Sequence, residues 1–222
     1  MIVAIDGPSG TGKSTVGKAV ATRLGVAYLD TGAMYRAVGL AAKRQGIALP
    51  IADPAAVVAI VDRVTVSVTG SAANARTFLD GEDVSKEIRT PEVSMYASAV
   101  SAVPGVRRRL AGMQRHLART SGGVLEGRDI GTKVVPETPH KFFLTARPEV
   151  RALRRSLELA ARGTPQPLEK VRAEMEARDR ADATREDSPL RHDASYIVVD
   201  TSDMTIDEVV DALLRHVGAS AG

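Results

Sequence analysis

Near its start the chain has the sequence Ile2-Val3-Ala4-Ile5-Asp6-Gly7-Pro8-Ser9-Gly10-Thr11-Gly12-Lys13-Ser14-Thr15. Its four leading apolar residues are typical of a strand that is buried on both faces. A glycine, four further residues and then Gly12-Lys13-Ser14 match the complete phosphate-binding loop. Apolar residues from Val16 to Leu24 then recur at helical spacing. The sequence therefore predicts the strand, loop and helix that this motif requires.

The loop has a direct physical interpretation. Glycines let successive backbone N–H groups converge on a phosphate at a helix N-terminus, where partial positive charge accumulates. Lys13 adds a full charge between the β- and γ-phosphates, and the Ser14 hydroxyl is expected to ligate a magnesium ion carried by them. The predicted nucleotide-binding residues are Gly7, Pro8, Ser9, Gly10, Thr11, Gly12, Lys13, Ser14 and Thr15.

Composition sets the limits for the rest of the chain. With 222 residues, 44% of them hydrophobic, the chain can bury the core of one large domain. A formal net charge of +3 suits anionic substrates but is too weak a bias to imply nucleic acid. The absence of cysteine excludes disulfides and thiolate metal sites. No signal peptide or membrane span is recognisable, so we expect a cytoplasmic protein without membrane partners.

Strands and helices alternate along most of the chain, which predicts an α/β fold with a parallel sheet and helices on both faces. After the loop helix we expect strands at 26–29, 123–126, 141–144 and 196–199 and a last helix at 205–217. One region differs, because apolar and polar residues alternate from Val64 to Thr69 and a second run ends in Asp80-Gly81, a tight-turn signal. This region is predicted to be a small antiparallel insert. Gly218 to Gly222 is expected to be a frayed tail.

One segment is rich in arginine. It contains Arg147, Arg151, Arg154, Arg155 and Arg162, with few acidic residues beside them in the sequence. Arg151, Arg154 and Arg155 share one helical face by their spacing. Such a face can simply be solvated. Next to a predicted triphosphate site, however, it indicates a mobile flap that closes over phosphates.

Three further groups carry charge. Arg178, Asp182 and Arg185 have a spacing that surrounds a carboxylate with two guanidinium groups, although a surface ion-pair row would have the same spacing. Gly127-Arg128-Asp129 follows a predicted sheet strand, where ligands of open α/β sheets bind. Arg107-Arg108-Arg109 begins a helix, where basic residues oppose the helix dipole and so do not serve helix stability.

Several of these groups occur together in one family. Gly7 to Thr15, Asp30-Thr31-Gly32-Ala33-Met34-Tyr35-Arg36, Glu82-Asp83-Val84-Ser85 with Glu87-Ile88-Arg89-Thr90, Gly127-Arg128-Asp129-Ile130-Gly131-Thr132 and Arg178-Asp179-Arg180 closely resemble the bacterial-type cytidylate kinases. The resemblance spans nearly the whole chain. It implies a P-loop nucleoside monophosphate kinase, a transferase of pyrimidine nucleotide metabolism that uses ATP and Mg²⁺ to convert CMP or dCMP to CDP or dCDP.

The resemblance also implies roles for individual residues. The acceptor nucleotide is expected at Thr31 and Arg36, its cytosine at Ser98, Arg107 and Asp129, its phosphate at Arg128 and Arg178, and its sugar near Asp182 and Arg185. We expect the transferring group to be stabilised by Lys13, Arg128, Arg178, Arg151, Arg154 and Arg155. Ser14 is the expected magnesium ligand, with Asp30 and Asp129 as candidates for a second.

The implied organisation is a single domain over 1–222, and we expect the protein to be a monomer. Its core comprises 1–62, 91–146 and 166–222, the monophosphate-binding insert comprises 63–90, and a helical lid comprises 147–165.

Other functions have different signatures. An adenylate kinase or a dephospho-coenzyme A kinase would keep the phosphate loop but change the acceptor residues, and the run at 82–90 argues against both. A nucleic-acid-binding ATPase would place stacking aromatics among its basic residues, and none of the Phe and Tyr residues lies in the arginine groups. A GTP-binding switch would carry Asn-Lys-x-Asp, which is absent from the sequence. The preference between CMP and dCMP stays open.

Overall fold

The computed structural model describes residues 1–69 and 71–219. In chain order the elements are β1 (Ile2–Asp6), α1 (Lys13–Leu24), β2 (Tyr28–Asp30), α2 (Thr31–Arg44), α3 (Pro54–Arg63), β3 (Val66–Thr69), β4 (Arg76–Leu79), β5 (Glu82–Asp83), a 3₁₀ turn (Glu87–Arg89), α4 (Pro91–Ser101), α5 (Pro104–Ser121), β6 (Gly123–Gly127), a π-helical turn (Ile130–Val134), β7 (His140–Thr145), α6 (Pro148–Ala161), α7 (Leu168–Thr184), β8 (Ile197–Asp200) and α8 (Ile206–Ala219).

The strands form two sheets. Five strands have the order β2-β6-β1-β7-β8, and β3, β4 and β5 form the second sheet. β7 pairs in parallel with both β1 and β8, whereas β4 pairs antiparallel with β3 and β5. The predicted α/β class, with a parallel sheet and a small antiparallel sheet, is confirmed.

Burial of the strands follows their sequences. β1 and β7 are almost completely buried, as expected for strands inside a sheet, although β1 ends in Asp6 and β7 begins with His140 and Lys141. β8 lies at the end of the strand order and alternates between half-buried and exposed residues. The turn between β4 and β5 is the predicted one, because Asp80 and Gly81 both have positive φ, 51° and 85°.

The chain divides into two compact units. The first comprises Met1 and Ala21–Leu125, and the second comprises Ile2–Val20 and Glu126–Gly222. The predicted insert at 63–90 lies within the first unit, and the lid at 147–165 lies within the second. The predicted boundaries do not coincide with this division, and the single-domain description stays a prediction.

The largest apolar cluster belongs to the first unit and includes residues of α2, α3, α4 and α5. α2 and α4 approach closely at Gly39, where an added Cβ would lie 2.8 Å from the backbone nitrogen of Ala97. The N-terminus of α3 is capped by a side chain. The Asp53 side chain accepts hydrogen bonds from the N–H groups of Ala55 and Ala56, with Pro54 at the first helical position.

Two helix boundaries differ from the prediction. α5 begins at Pro104, three residues before the Arg107-Arg108-Arg109 run that was expected to begin the helix, because proline is well suited to a first helical turn. α8 continues through Ala219, so the prediction of a frayed tail is wrong for Gly218, and residues 220–222 lie outside the described residues. None of the helices within 1–69 and 71–219 combines the length and the apolar composition that a membrane crossing needs.

Candidate active site

The phosphate loop has the backbone that its glycines predict. Gly7, Gly10 and Gly12 have φ of 144°, 77° and 90°, a region that residues with a Cβ rarely adopt. Space is also restricted, because a Cβ on Gly7 would lie 2.1 Å from the carbonyl oxygen of Leu144. The turn between β1 and α1 therefore depends on glycine for both its conformation and its packing.

Lys13 is buried at the first position of α1. Its Nζ donates a hydrogen bond to the carbonyl oxygen of Pro8 at 2.6 Å, and the same oxygen accepts from the Thr11 hydroxyl at 3.1 Å. Ser14 and Thr15 are exposed in the first turn of the same helix. The loop thus combines a buried cation with exposed hydroxyls at a helix N-terminus, the arrangement expected for phosphate.

Burial and charged neighbours change the pKa of Lys13. The pKa of Lys13 is lowered to about 7, chiefly by burial and also by the positive charges of Arg128 and Arg178, while the negative charges of Glu126 and Asp6 oppose this change. Three cations are therefore close enough to repel one another electrostatically. A polyphosphate placed among them would relieve that repulsion.

Sequence reasoning missed Glu126. This residue is only 4% exposed near the end of β6, and its charge acts on Lys13. A signal was available, because Glu126 is an acidic residue that closes an otherwise apolar strand directly before Gly127-Arg128-Asp129. A buried acid at that position is rarely present for packing alone.

Arg128 joins three parts of the second unit. Its Nε donates to Asp182 at 2.9 Å, one terminal nitrogen donates to the Ser9 hydroxyl at 2.8 Å, and the other donates to the Gly127 carbonyl at 3.3 Å. The predicted Gly127-Arg128-Asp129 group, the phosphate loop and α7 are thereby brought together. The backbone carbonyl of Asp129 accepts from Lys133 at 2.8 Å where the π-helical turn begins, and its side chain is buried.

Asp182 lies between arginines, as its spacing predicts. It accepts from Arg128 and also from Arg185 at 2.9 Å, and Arg178 contributes a further positive charge. Burial raises the pKa of Asp182, but Arg128, Arg178 and Arg185 together hold it below its usual range. The carboxylate therefore stays ionised. Arg185 follows Thr184, the last residue of α7. Asp182 and Arg185 therefore do not lie on one continuous helical face, although their spacing suggested it.

The arginines of α6 differ from expectation in their partners. Arg151 is buried, forms an ion pair with Asp179 and donates to the Ser9 carbonyl at 3.2 Å. Arg154 donates to the hydroxyl and carbonyl of Thr201 at 3.0 and 2.7 Å. Arg155 pairs with Glu158 at 2.8 Å.

Acidic partners are thus present, although the sequence suggested few. Outside the predicted trio, Arg147 pairs with Asp203 at 2.7 Å, and Arg162 pairs with Glu158. Of the predicted lid arginines, Arg151 contacts the phosphate loop directly, while Arg154 contacts Thr201 and Arg155 contacts Glu158. Mobility of the lid stays a prediction.

In the first unit, Thr31 and Arg36 lie at the start of α2. Asp30 caps this helix by accepting from the Ala33 N–H at 2.9 Å, and its other oxygen accepts from Arg36 at 2.6 Å. Burial raises the pKa of Asp30, but Arg36 and the Ala33 N–H hold it below its usual range. Gly32 leaves room for this pair, since its Cβ would lie 3.1 Å from Asp30 Oδ1. Thr31 is buried.

Ser98 and Arg107 also belong to the first unit. Ser98 lies half-buried on α4, and its carbonyl accepts from the Ser101 hydroxyl at 2.8 Å. Arg107 is 3% exposed on α5 and donates to the Ser101 carbonyl at 3.3 Å. Its guanidinium carbon lies 5.4 Å from the centre of the Tyr35 ring, within cation–π range. Both predicted base readers are therefore tied to the residue that ends α4.

Comparison with known proteins identifies the family of the chain. The family model described as cytidylate kinase matches residues 3–219. A cytidylate kinase of Corynebacterium glutamicum is 50% identical over 100% of this chain and 96% of its own length. One of Mycobacterium avium is 51% identical over 96% of this chain and 93% of its own.

A crystal structure of an uncharacterised protein from Eubacterium ventriosum aligns with a TM-score of 0.53 at 13% identity, covering 99% of this chain and 98% of that one. That likeness concerns the fold alone. The family match and the two relatives span nearly the full chain, and on that ground the protein belongs to the cytidylate kinase family.

Proposed function

We propose that the protein transfers the γ-phosphoryl group of ATP to CMP or dCMP and releases ADP with CDP or dCDP. The observation that carries the proposal is the cationic cluster of Lys13, Arg128 and Arg178 beside the glycine-rich loop. Family membership supports the same activity. Phosphoryl transfer needs two anions held in line, neutralised and kept from water, with little covalent chemistry from the protein.

The residues divide this work. Lys13 and the loop N–H groups bind the donor phosphates, and Arg128 and Arg178 stabilise charge on the transferring group. Asp182 fixes the plane of the Arg128 guanidinium through Nε, which leaves its terminal nitrogens to serve a phosphate. In the lid, Arg151, Arg154 and Arg155 add positive charge and exclude water when the lid closes.

Oxygen-bearing side chains suit a magnesium ion. The exposed Ser14 hydroxyl and the buried Glu126 carboxylate are the hard donors that Mg²⁺ prefers, and Ser14 would hold the ion. When bound, the ion neutralises charge on the donor phosphates. Among the second ligands considered, Asp30 is disfavoured, because its oxygens serve Ala33 and Arg36. Glu126 and Asp129 are the stronger candidates for the second magnesium ligand.

Recognition of the acceptor nucleotide is proposed to rest on polar side chains whose hydrogen-bond donors and acceptors complement those of cytosine. Cytosine presents an amino donor at its 4-position and an acceptor at N3, so Asp129 accepts from the former and Arg107 donates to the latter. The Ser98 hydroxyl can donate or accept a hydrogen bond and so can serve either group. Thr31 and Arg36 contact the acceptor nucleotide with Arg128 and Arg178 on its phosphate. Each oxygen of Asp182 keeps a second lone pair for a sugar hydroxyl, with Arg185 alongside.

A coupled assay of ADP release tests the proposal with CMP, dCMP, UMP, AMP and dephospho-coenzyme A as acceptors. CMP and dCMP should be the efficient substrates, with UMP about a hundredfold poorer or worse. Equal or better turnover of AMP or dephospho-coenzyme A would overturn the assignment. Sedimentation of the same preparation tests the expected monomer, and a cytoplasmic location without nucleic-acid or membrane partners is proposed with it.

A further inference from the structure

A buried acid in the second unit has no role in the mechanism above. Asp6 is the last residue of β1, directly before the phosphate loop, and it is 0% exposed. A carboxylate at such a place is costly unless hydrogen bonds replace its lost water. Its partners therefore show what it is there to hold.

Asp6 accepts hydrogen bonds from three groups, two of which belong to the segment that follows Arg128. One oxygen accepts from the Ile130 N–H at 2.9 Å, and the other accepts from the Gly131 N–H at 2.9 Å and from the Tyr196 hydroxyl at 2.7 Å. The two N–H groups begin the π-helical turn, which has no side-chain cap of its own from Asp129. Asp6 thus fastens that turn to β1.

Tyr196 completes the arrangement only because residue 131 is glycine. A Cβ on Gly131 would lie 2.5 Å from the Tyr196 hydroxyl oxygen and 3.0 Å from the Lys141 side chain. Burial and the nearby Asp6 raise the pKa of Tyr196, so its hydroxyl keeps the proton that it donates. The Tyr196 ring is supported edge-on by Phe143, with 6.3 Å between ring centres.

The fastened turn begins two residues after Arg128. That arginine is held on its other side by Gly127, the last residue of β6, and it reaches Ser9 and Asp182. A turn free to shift would carry Arg128 away from the loop, and displacements of about 1 Å can cost a hundredfold in rate. We propose that Asp6, supported by Tyr196, is a positioning residue that holds Arg128 in register with the phosphate loop.

This proposal rests on the proposed function for its kinetic test. Asp6→Asn keeps the shape but turns a donor toward one of the two backbone N–H groups, so kcat with saturating ATP and CMP should fall about thirtyfold or more. Tyr196→Phe keeps both backbone bonds and should cost about threefold. Leu213→Ala, in the buried core of α8, is the stability control and should leave kcat within about twofold despite a lower Tm.

A double-mutant cycle separates positioning from general damage. If Asp6 acts through Arg128, Asp6→Asn should cost less than about threefold in an Arg128→Lys background. An undiminished thirtyfold cost in that background, or a kcat within twofold of wild type for Asp6→Asn alone, would overturn the proposal. If Asp6→Asn does not fold, Tyr196→Phe takes its place in the cycle, and its threefold cost should disappear in the Arg128→Lys background.

A readout without turnover keeps the two proposals distinguishable. The NMR signal of the Arg128 Nε–H, which is bonded to Asp182, should shift or broaden in Asp6→Asn and stay in place in Leu213→Ala. Amide exchange at Ile130 and Gly131 should accelerate by tenfold or more. If wild type fails to phosphorylate CMP while these signals change, the proposed function fails and the positioning role stands. An unchanged Arg128 signal refutes the positioning role whatever the activity.

Discussion

Replacing Lys13 with methionine should abolish a proton that the protein takes up when it binds ATP. Burial, with Arg128 and Arg178, lowers the pKa of this lysine to about 7. At pH 8 about nine-tenths of the protein would therefore carry a neutral lysine. The negative charge of a bound triphosphate raises that pKa, so binding should take up about 0.9 proton at this pH. Lys13→Met keeps an unbranched apolar side chain and removes the titrating group.

Calorimetry measures this proton directly. ATP is titrated into each protein at pH 8 in two buffers of different ionisation enthalpy, and the difference in heat gives the protons exchanged. Titration of the ligand itself is common to both proteins, so the difference between them isolates Lys13. Lys170→Met, which removes an exposed lysine from α7, is the matched control and should keep the wild-type value.

The same variant should lose about 3 kcal/mol or more of transition-state stabilisation, on the order of a hundredfold in kcat. Equal proton uptake by wild type and Lys13→Met would refute the idea that this lysine meets the donor phosphates in a neutral, buried state. Wild-type turnover by the variant would remove the loop from the ATP site altogether.

Three further predictions concern other parts of the site. Burial raises the pKa of Asp6 to about 6, so the pH-dependent part of its contribution to stability is complete below pH 3.8 and is lost as the pH rises through 6. Relative to Asp6→Asn, the wild-type free energy of unfolding should therefore fall by about 2 kcal/mol from pH 4 to pH 7. A constant difference between the two proteins in urea titrations would contradict this. Amide exchange across 147–165 should slow when an ATP analogue and CMP bind together, whereas unchanged exchange would favour the solvated-helix interpretation. Arg107→Met should reduce the ratio of kcat/KM for CMP to kcat/KM for UMP by about tenfold or more, with little change in the affinity for ATP. An unchanged ratio would show that Arg107 has a structural role and does not recognise the base.

Local chemistry explains why much of the fold could be predicted. The phosphate loop is recognised from its glycines, lysine and serine at fixed spacing, and its flanking strand and helix are predicted from the spacing of apolar residues alone. Asp53-Pro54 and Asp80-Gly81 act on backbone atoms within three residues of themselves. Such signals depend on no distant partner, so a single sequence contains them in full.

Distant partners explain what the sequence could not supply. The ion pair of Arg151 with Asp179 joins residues 28 apart, and the hydrogen bond of Tyr196 to Asp6 spans 190. Spacing along one helix gives no account of either. The arginines of α6 therefore looked unpaired in the sequence, and Asp6 looked like an ordinary end of a strand. Glu126 was detectable only as an acid in an apolar strand, a signal without a stated role.

These distant contacts share a physical logic. Arg128 gives its Nε to Asp182, whereas its terminal nitrogens meet a hydroxyl at 2.8 Å and a carbonyl at 3.3 Å, which are neutral and weaker acceptors. A phosphate can replace the two neutral acceptors without disturbing the ion pair, so the guanidinium need not be reoriented when substrate arrives. Lys13 has the same character, because its Nζ is bonded to a single carbonyl and its charge is disfavoured by burial. The ion pair with Asp182 sets the direction of the Arg128 guanidinium, and in both residues the contacts that a phosphate would replace are made to neutral acceptors, so an anion gains strongly from binding there.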